Sequence, residues 1–191
     1  MRARNALPVA TLVVVLAVVL GGCSLGDRDV ERMSSATEAR VLEPLPAGQG
    51  EQSFAVADPG PLRTRPVSAD LLVLGRGTLP RSFLRRIDAT PGVRATESVS
   101  LASAVVGGRV LTIGSVDPAT YRRFTPARAA RMTAVWQRVA EGDLAISPGV
   151  AEDLRQPLGS QMMLGNDKSA VGLRVGAHAS MAPRIDAVVN H

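Results

Sequence analysis

Residues 101–106 (LASAVV) and 109–113 (RVLTI) are two strand-like runs separated only by Gly107-Gly108. Nothing else in the chain limits its fold as tightly. Both residues of a two-residue hairpin turn of this type need positive φ, which glycine adopts without a side-chain clash. The spacing therefore predicts an antiparallel hairpin, and the flanking residues predict what joins it. Upstream, residues 69–75 (ADLLVLG) read as a short buried strand closed by Gly75. Thr78-Leu79-Pro80 opens a helix, since proline is tolerated in a first turn. Phe83, Leu84 and Ile87 share one face of that helix, with Arg81, Arg85, Arg86 and Asp88 on the other. Thr90-Pro91-Gly92 stops it, and a strand from Val93 leads into the hairpin. Downstream, Asp117 is placed as an N-cap with Pro118 at the first helical position, and Tyr121 and Phe124 point inward.

The rest of the folded part alternates in the same way. Residues 126–140 form the longest predicted helix, with Ala129, Met132, Val135 or Trp136, and Val139 at helical spacing and Gly142 beyond its end. A short strand over 143–146 precedes a helix from Ser147-Pro148 to Leu154. Leu158-Gly159 turns into strands near 161–164 and 171–175, and 185–189 is the last strand. Hairpins mixed with strand–helix–strand units predict an α+β domain with a mixed sheet, over residues 68–191. Aromatic residues are 3% of the chain and hydrophobic residues 46%, so the core is built from Val, Leu, Ile and Ala.

The N-terminus carries a different kind of signal. Arg2 and Arg4 precede an apolar run over 6–20, which ends in Leu20-Gly21-Gly22-Cys23. At about 15 residues the run is short for a spanning helix. Leu20-Gly21-Gly22-Cys23 resembles a bacterial lipobox, which implies lipidation of Cys23 and loss of residues 1–22. The alternative is an uncleaved N-terminal helix with Cys23 an incidental thiol. Both leave Arg2 and Arg4 inside and place the rest of the chain on the extracytoplasmic side of the cell membrane. Residues 24–67, broken by Pro44, Pro46, Pro59, Pro61 and Pro66, read as a tether. As a coil it spans roughly 35–40 Å. A strand docking over 52–56 and a short helix over 30–42 are the structured alternatives within it.

Composition narrows the function further. The formal charge is +5, of which Arg2 and Arg4 supply two, so the exported part carries +3. That is too weak and dispersed a field for a nucleic-acid partner. One cysteine, Cys23, excludes an internal disulfide or a CxxC metal site. No GxSxG, P-loop or HExxH pattern is present. Gly75-Arg76-Gly77 reads as a plain turn, Asp143, Glu152 and Asp153 as helix-surface carboxylates, and Asn166-Asp167-Lys168 as a hairpin turn. His178 reads as an exposed loop residue, and neither it nor His191 has a thiol partner for cysteine-peptidase chemistry. Arg122, Arg123, Arg128, Arg131 and Arg138 read as a solvated face, or as a contact for anionic lipid or wall polymer. Trp136 and Met132 belong to the core. No catalytic, metal or cofactor site follows.

The stretch from Asp70 to Phe124, with Thr90-Pro91-Gly92-Val93 after the helix and Gly114-Ser115-Val116-Asp117-Pro118 after the hairpin, resembles the extracytoplasmic core domain of MacB/FtsX-type ABC transporter permeases. Residues 142–164 (GDLAISPGVAEDLRQPLGSQMML) are similar to its second half. The resemblance implies a non-catalytic, membrane-tethered module that binds a protein or cell-wall partner. The permeases' later spanning helices and an ATPase motif have no counterpart in the sequence. The same module precedes NlpC-type peptidase domains in some exported actinobacterial proteins. The second reading is therefore the N-terminal, non-catalytic part of such a peptidase, suggested by a last strand with no closing element after it.

Overall fold

The structure is a computed structural model. It describes the backbone of residues 11–18 and 40–41, and residues 54–191 apart from 76, 167 and 168. Cys23 and most of the expected tether lie outside the described residues.

The strands are β1 (Thr11–Val18), β2 (Arg40–Val41), β3 (Leu71–Leu74), β4 (Val93–Val106), β5 (Arg109–Val116), β6 (Leu144–Ile146), β7 (Gln161–Asn166), β8 (Ser169–His178) and β9 (Ala187–Asn190). The helices are α1 (Arg81–Asp88), α2 (Pro118–Tyr121), α3 (Ala127–Arg131), α4 (Thr133–Ala140) and α5 (Pro148–Asp153). A single mixed sheet runs β2-β8-β6-β9-β5-β4-β1-β3, with β7 paired to β8 off the path. The fold is α+β, as the sequence predicts.

Local chemistry explains the elements. Gly107 and Gly108 sit at φ 57° and 78°, and Val106 pairs with Arg109 directly across the turn. The Asp117 carboxylate accepts from the Ala119 N–H at 2.8 Å and caps α2, with Pro118 in its first turn. Arg122–Phe124 continues α2 as a 3₁₀ turn. α1 buries Phe83, Leu84 and Ile87 partway and leaves its arginines exposed.

The helix expected over 126–140 is broken in two. Met132 has ψ 84°, outside the helical region. The break follows from Trp136, whose indole N–H donates to the Ala129 carbonyl at 2.8 Å. Met132 N–H donates to the same oxygen at 3.1 Å. The next N–H in a continuous helix, that of Thr133, would otherwise take it.

Alternation along the central strands puts apolar side chains on both faces. On one face Val99, Val116, Ala145, Ala177 and Val188 pack against Tyr121, Phe124, Val135, Trp136 and Val139. On the other, Leu111, Ile113, Leu144, Ile146, Val175 and Ala187 pack against Val150, Ala151 and Met162. The last strand, expected at 185–189, forms as β9 (Ala187–Asn190). It lies between β6 and β5, antiparallel to the first and parallel to the second.

Parts of the N-terminal third make contacts with the domain. Residues 54–67, assigned to a tether, are docked on the domain without forming a strand. Val56 N–H donates to Ala140 O at 2.7 Å and Val67 N–H to Arg123 O at 2.8 Å. Residues 40–41, within the stretch expected as tether or short helix, pair antiparallel with β8. Further, the apolar run over 11–18 is a strand here, not a helix. No helix among the described residues is long and apolar enough to cross a membrane.

Candidate functional site

The buried polar side chains hold segments together. Asp143, 4% exposed, stands at the entry to β6. Its Oδ2 meets Arg138 Nη2 at 2.5 Å, and its Oδ1 accepts from Arg174 Nε at 2.8 Å. Arg138 reaches Glu141 through its other nitrogen at 2.6 Å. The cluster sits against Gly176, where a Cβ would collide with the Asp143 side chain. One carboxylate thus ties the end of α4 to β8. The reading of Asp143 as a surface carboxylate is therefore corrected. Asp153 is exposed and bonds Arg109, and Glu152 is exposed, so the three acids form no group.

The basic stretch around the longest helix divides in the same way. Arg122 is buried and donates to the carbonyls of Gly60 at 2.7 Å and Pro59 at 3.1 Å. It clamps the docked segment to the domain. Arg123 lies over the Phe124 ring at 5.6 Å. Arg138 belongs to the Asp143 cluster. Arg131 is exposed. Neither the solvated face nor the lipid-contact reading describes Arg122 and Arg138, because helical spacing alone hides which arginine turns inward. Asn190 donates to Ala140 O at 3.2 Å and also to Phe54 O, adding a second tie to the docked segment.

His178 ends β8, half-buried, with Nε2 3.0 Å from Gln156 O. It is a strand residue, not a loop one. Asn166 pairs with Ser169 across the turn expected at 166–168. Among the described residues no group of three His, Cys, Asp or Glu is placed to hold a metal ion. Tyr121 is buried, its hydroxyl accepts from Ala182 N–H at 3.2 Å, and burial holds its phenol well above the ordinary range.

The environment of Glu97 favours the proton. Burial pushes its pKa up to about 7, opposed by the Thr120 hydroxyl donating at 2.9 Å. Asp117 raises it further, and Arg123 and His191 lower it. The folded chain holds this proton more tightly than the unfolded one. Stability is therefore highest at low pH for this group and falls as pH rises from about 4.5 to 7. Discounted for partial solvent access, the loss is roughly 1–2 kcal/mol. Urea unfolding at pH 5 and pH 8 will show that difference in the native chain and most of it gone in Glu97→Gln.

Apolar side chains remain exposed at two hairpins and one edge. Val105 and Val110 face each other across β4 and β5, both about two-thirds exposed (66% and 64%). Met163 and Val171 are exposed on β7 and β8, and β7 lies against β4. Leu71 and Leu74 are exposed on β3, the last strand of the sheet.

The arrangement the sequence did not reveal is at that end of the sheet. β3, α1 and β4 form a strand–helix–strand unit whose two strands do not pair. β1 lies between them, antiparallel to both. Periodicity could not signal this, because in the sequence the run over 11–18 reads as part of an apolar targeting segment. Comparison with family models, with curated proteins and with solved structures gives no match, so the functional reading stands on these residues.

Proposed function

We propose that this chain is a non-catalytic binding module of the cell envelope, tethered on the extracytoplasmic side of the membrane by lipid on Cys23. What carries the reading is the fate of the polar side chains. Arg122, Arg138, Arg174, Asp143 and Asn190 are engaged with backbone carbonyls or with one another, so they brace the domain. Among the exposed side chains, Val105, Val110, Met163 and Val171 are large apolar ones on two hairpins. Such a surface suits a protein partner. The resemblance to the MacB/FtsX core domain supports the same role, binding without bond-breaking. Arg2, Arg4, the apolar run and Leu20-Gly21-Gly22-Cys23 support that location.

The anchor is tested in a bacterial host fed a labelled fatty acid. The native chain takes up label and shortens on gels. Cys23→Ser takes up none and keeps the precursor's size. Label on the Cys23→Ser chain, or none on the native chain, contradicts the lipid anchor.

A further inference from the structure

β1 is antiparallel to both of its neighbours, so β3 and β4 run parallel to each other across a one-strand gap. Val14 pairs with Val73 on one side and Ser98 on the other. The gap is thus two strand spacings wide, about 9–10 Å between β3 and β4. β4 depends on this filling. Its pairing with β5 begins only at Ser100, whereas its pairing with β1 covers 93–101. Residues 93–99 have no other ladder partner among the described residues. Beside the gap, Ala69, Leu72 and Ala95 pack against the core cluster that contains Trp136. An empty gap would expose backbone donors and acceptors on two strands and the edge of that core, a costly state.

The segment that fills it is also the apolar stretch of the export signal. One segment cannot lie in the sheet and be removed with residues 1–22. We propose that the space between β3 and β4 is a strand-receiving slot. The seated Thr11–Val18 shows the kind of strand it accepts, and once residues 1–22 are removed an extended apolar segment of a partner protein fills it. The seated strand defines what fits. It is about eight residues long, uncharged, rich in valine and free of proline, and it runs antiparallel to both neighbours. Main-chain bonds to two strands at once supply the affinity, as in β-strand addition to an exposed edge. The departure of the native strand rests on the export reading; the slot rests on the pairing alone. Lipid labelling tests the first and amide exchange the second.

The test uses the full chain with Val14→Pro. Proline cannot donate to a ladder and is poorly tolerated inside a sheet. Amides of 71–74 and 93–99 are expected to exchange at least about a hundredfold faster than in the native chain, with β5, β6, β8 and β9 unchanged. A lysine-flanked synthetic peptide carrying TLVVVLAV restores protection, and the same peptide with a central proline does not. Unchanged exchange in Val14→Pro, or no rescue by the peptide, overturns the slot. Protection regained without peptide, alongside a concentration-dependent dimer, assigns the slot to a second copy and overturns the partner assignment.

A second variant covers global unfolding by the proline. Val14→Cys with Ser98→Cys, in a Cys23→Ser background, locks the native strand when oxidised. Uptake of labelled peptide then falls at least about tenfold and returns on reduction. Uptake that ignores the lock overturns the proposal.

Discussion

Replacing Asp143 by alanine lowers the unfolding free energy by about 3–5 kcal/mol. The reason is the state in which it leaves two guanidinium groups. The Arg138 side chain is 4% exposed and Arg174 17%, and Asp143 is the carboxylate they share. Removing it strands positive charge where water cannot replace the partner. Glu141 still meets Arg138 but is itself about half in solvent, so it compensates poorly. The prediction is specific because the loss is conditional. Asp143→Ala combined with Arg138→Met removes the carboxylate together with the more buried of its two guanidinium partners, and the pair costs less than the sum of the two single changes. Chemical unfolding of the four chains, followed by far-UV circular dichroism, measures the coupling. Strict additivity contradicts a shared buried network. Gly176→Ala acts in the same direction, since its Cβ occupies the volume of the Asp143 side chain.

Trp136→Ala costs a similar amount, about 3–5 kcal/mol. Trp136 is fully buried beneath the helix layer, in edge-to-face contact with Tyr121 at 5.9 Å between ring centres. Its indole N–H also satisfies the Ala129 carbonyl at the break between α3 and α4. Truncation leaves a cavity among Tyr121, Phe124 and Val135, and it frees a carbonyl bond that shapes the break. Trp136→Phe keeps most of the packing and loses the indole bond, for about 1–2 kcal/mol. Since domains of this size are stable by only about 5–15 kcal/mol, the alanine variant should melt roughly 10–20 °C lower. Calorimetry checks both, and equal midpoints for the native chain and Trp136→Ala would contradict the packing described. Trp136 is the only tryptophan, so its fluorescence reports unfolding of the native chain without ambiguity.

Much of the architecture was legible because it is set by local chemistry. Gly107-Gly108, Asp117-Pro118 and the Phe83–Leu84–Ile87 face each act over a few residues, and each is where the sequence places it. What could not be read depends on distant partners. Arg122 looks like its neighbour Arg123 until residues 59–60 fold against it. Asp143 looks like Asp153 until β8 brings Arg174 and Gly176 beside it. The docked segment 54–67 has no periodicity, because single backbone bonds and side-chain clamps hold it in place of a ladder. The fit of 11–18 between β3 and β4 was hidden for another reason. Valine-rich, uncharged sequence serves a sheet interior and a targeting signal equally well.

The slot gives the tethered-module account a mechanical consequence. Removal of residues 1–22 would take away Thr11–Val18 as an occupant, so the slot would be open to a partner strand in the anchored chain. The exposed hairpin residues Val105, Val110, Met163 and Val171 are independent of that event and offer a second contact.

The most direct measurement is the intact mass of the chain recovered from bacterial membranes. The account predicts a polypeptide that begins at Cys23, lacks residues 1–22 and carries added lipid mass on that residue. A chain recovered from the soluble cytosol, beginning at Met1 with a free Cys23 thiol, would contradict it.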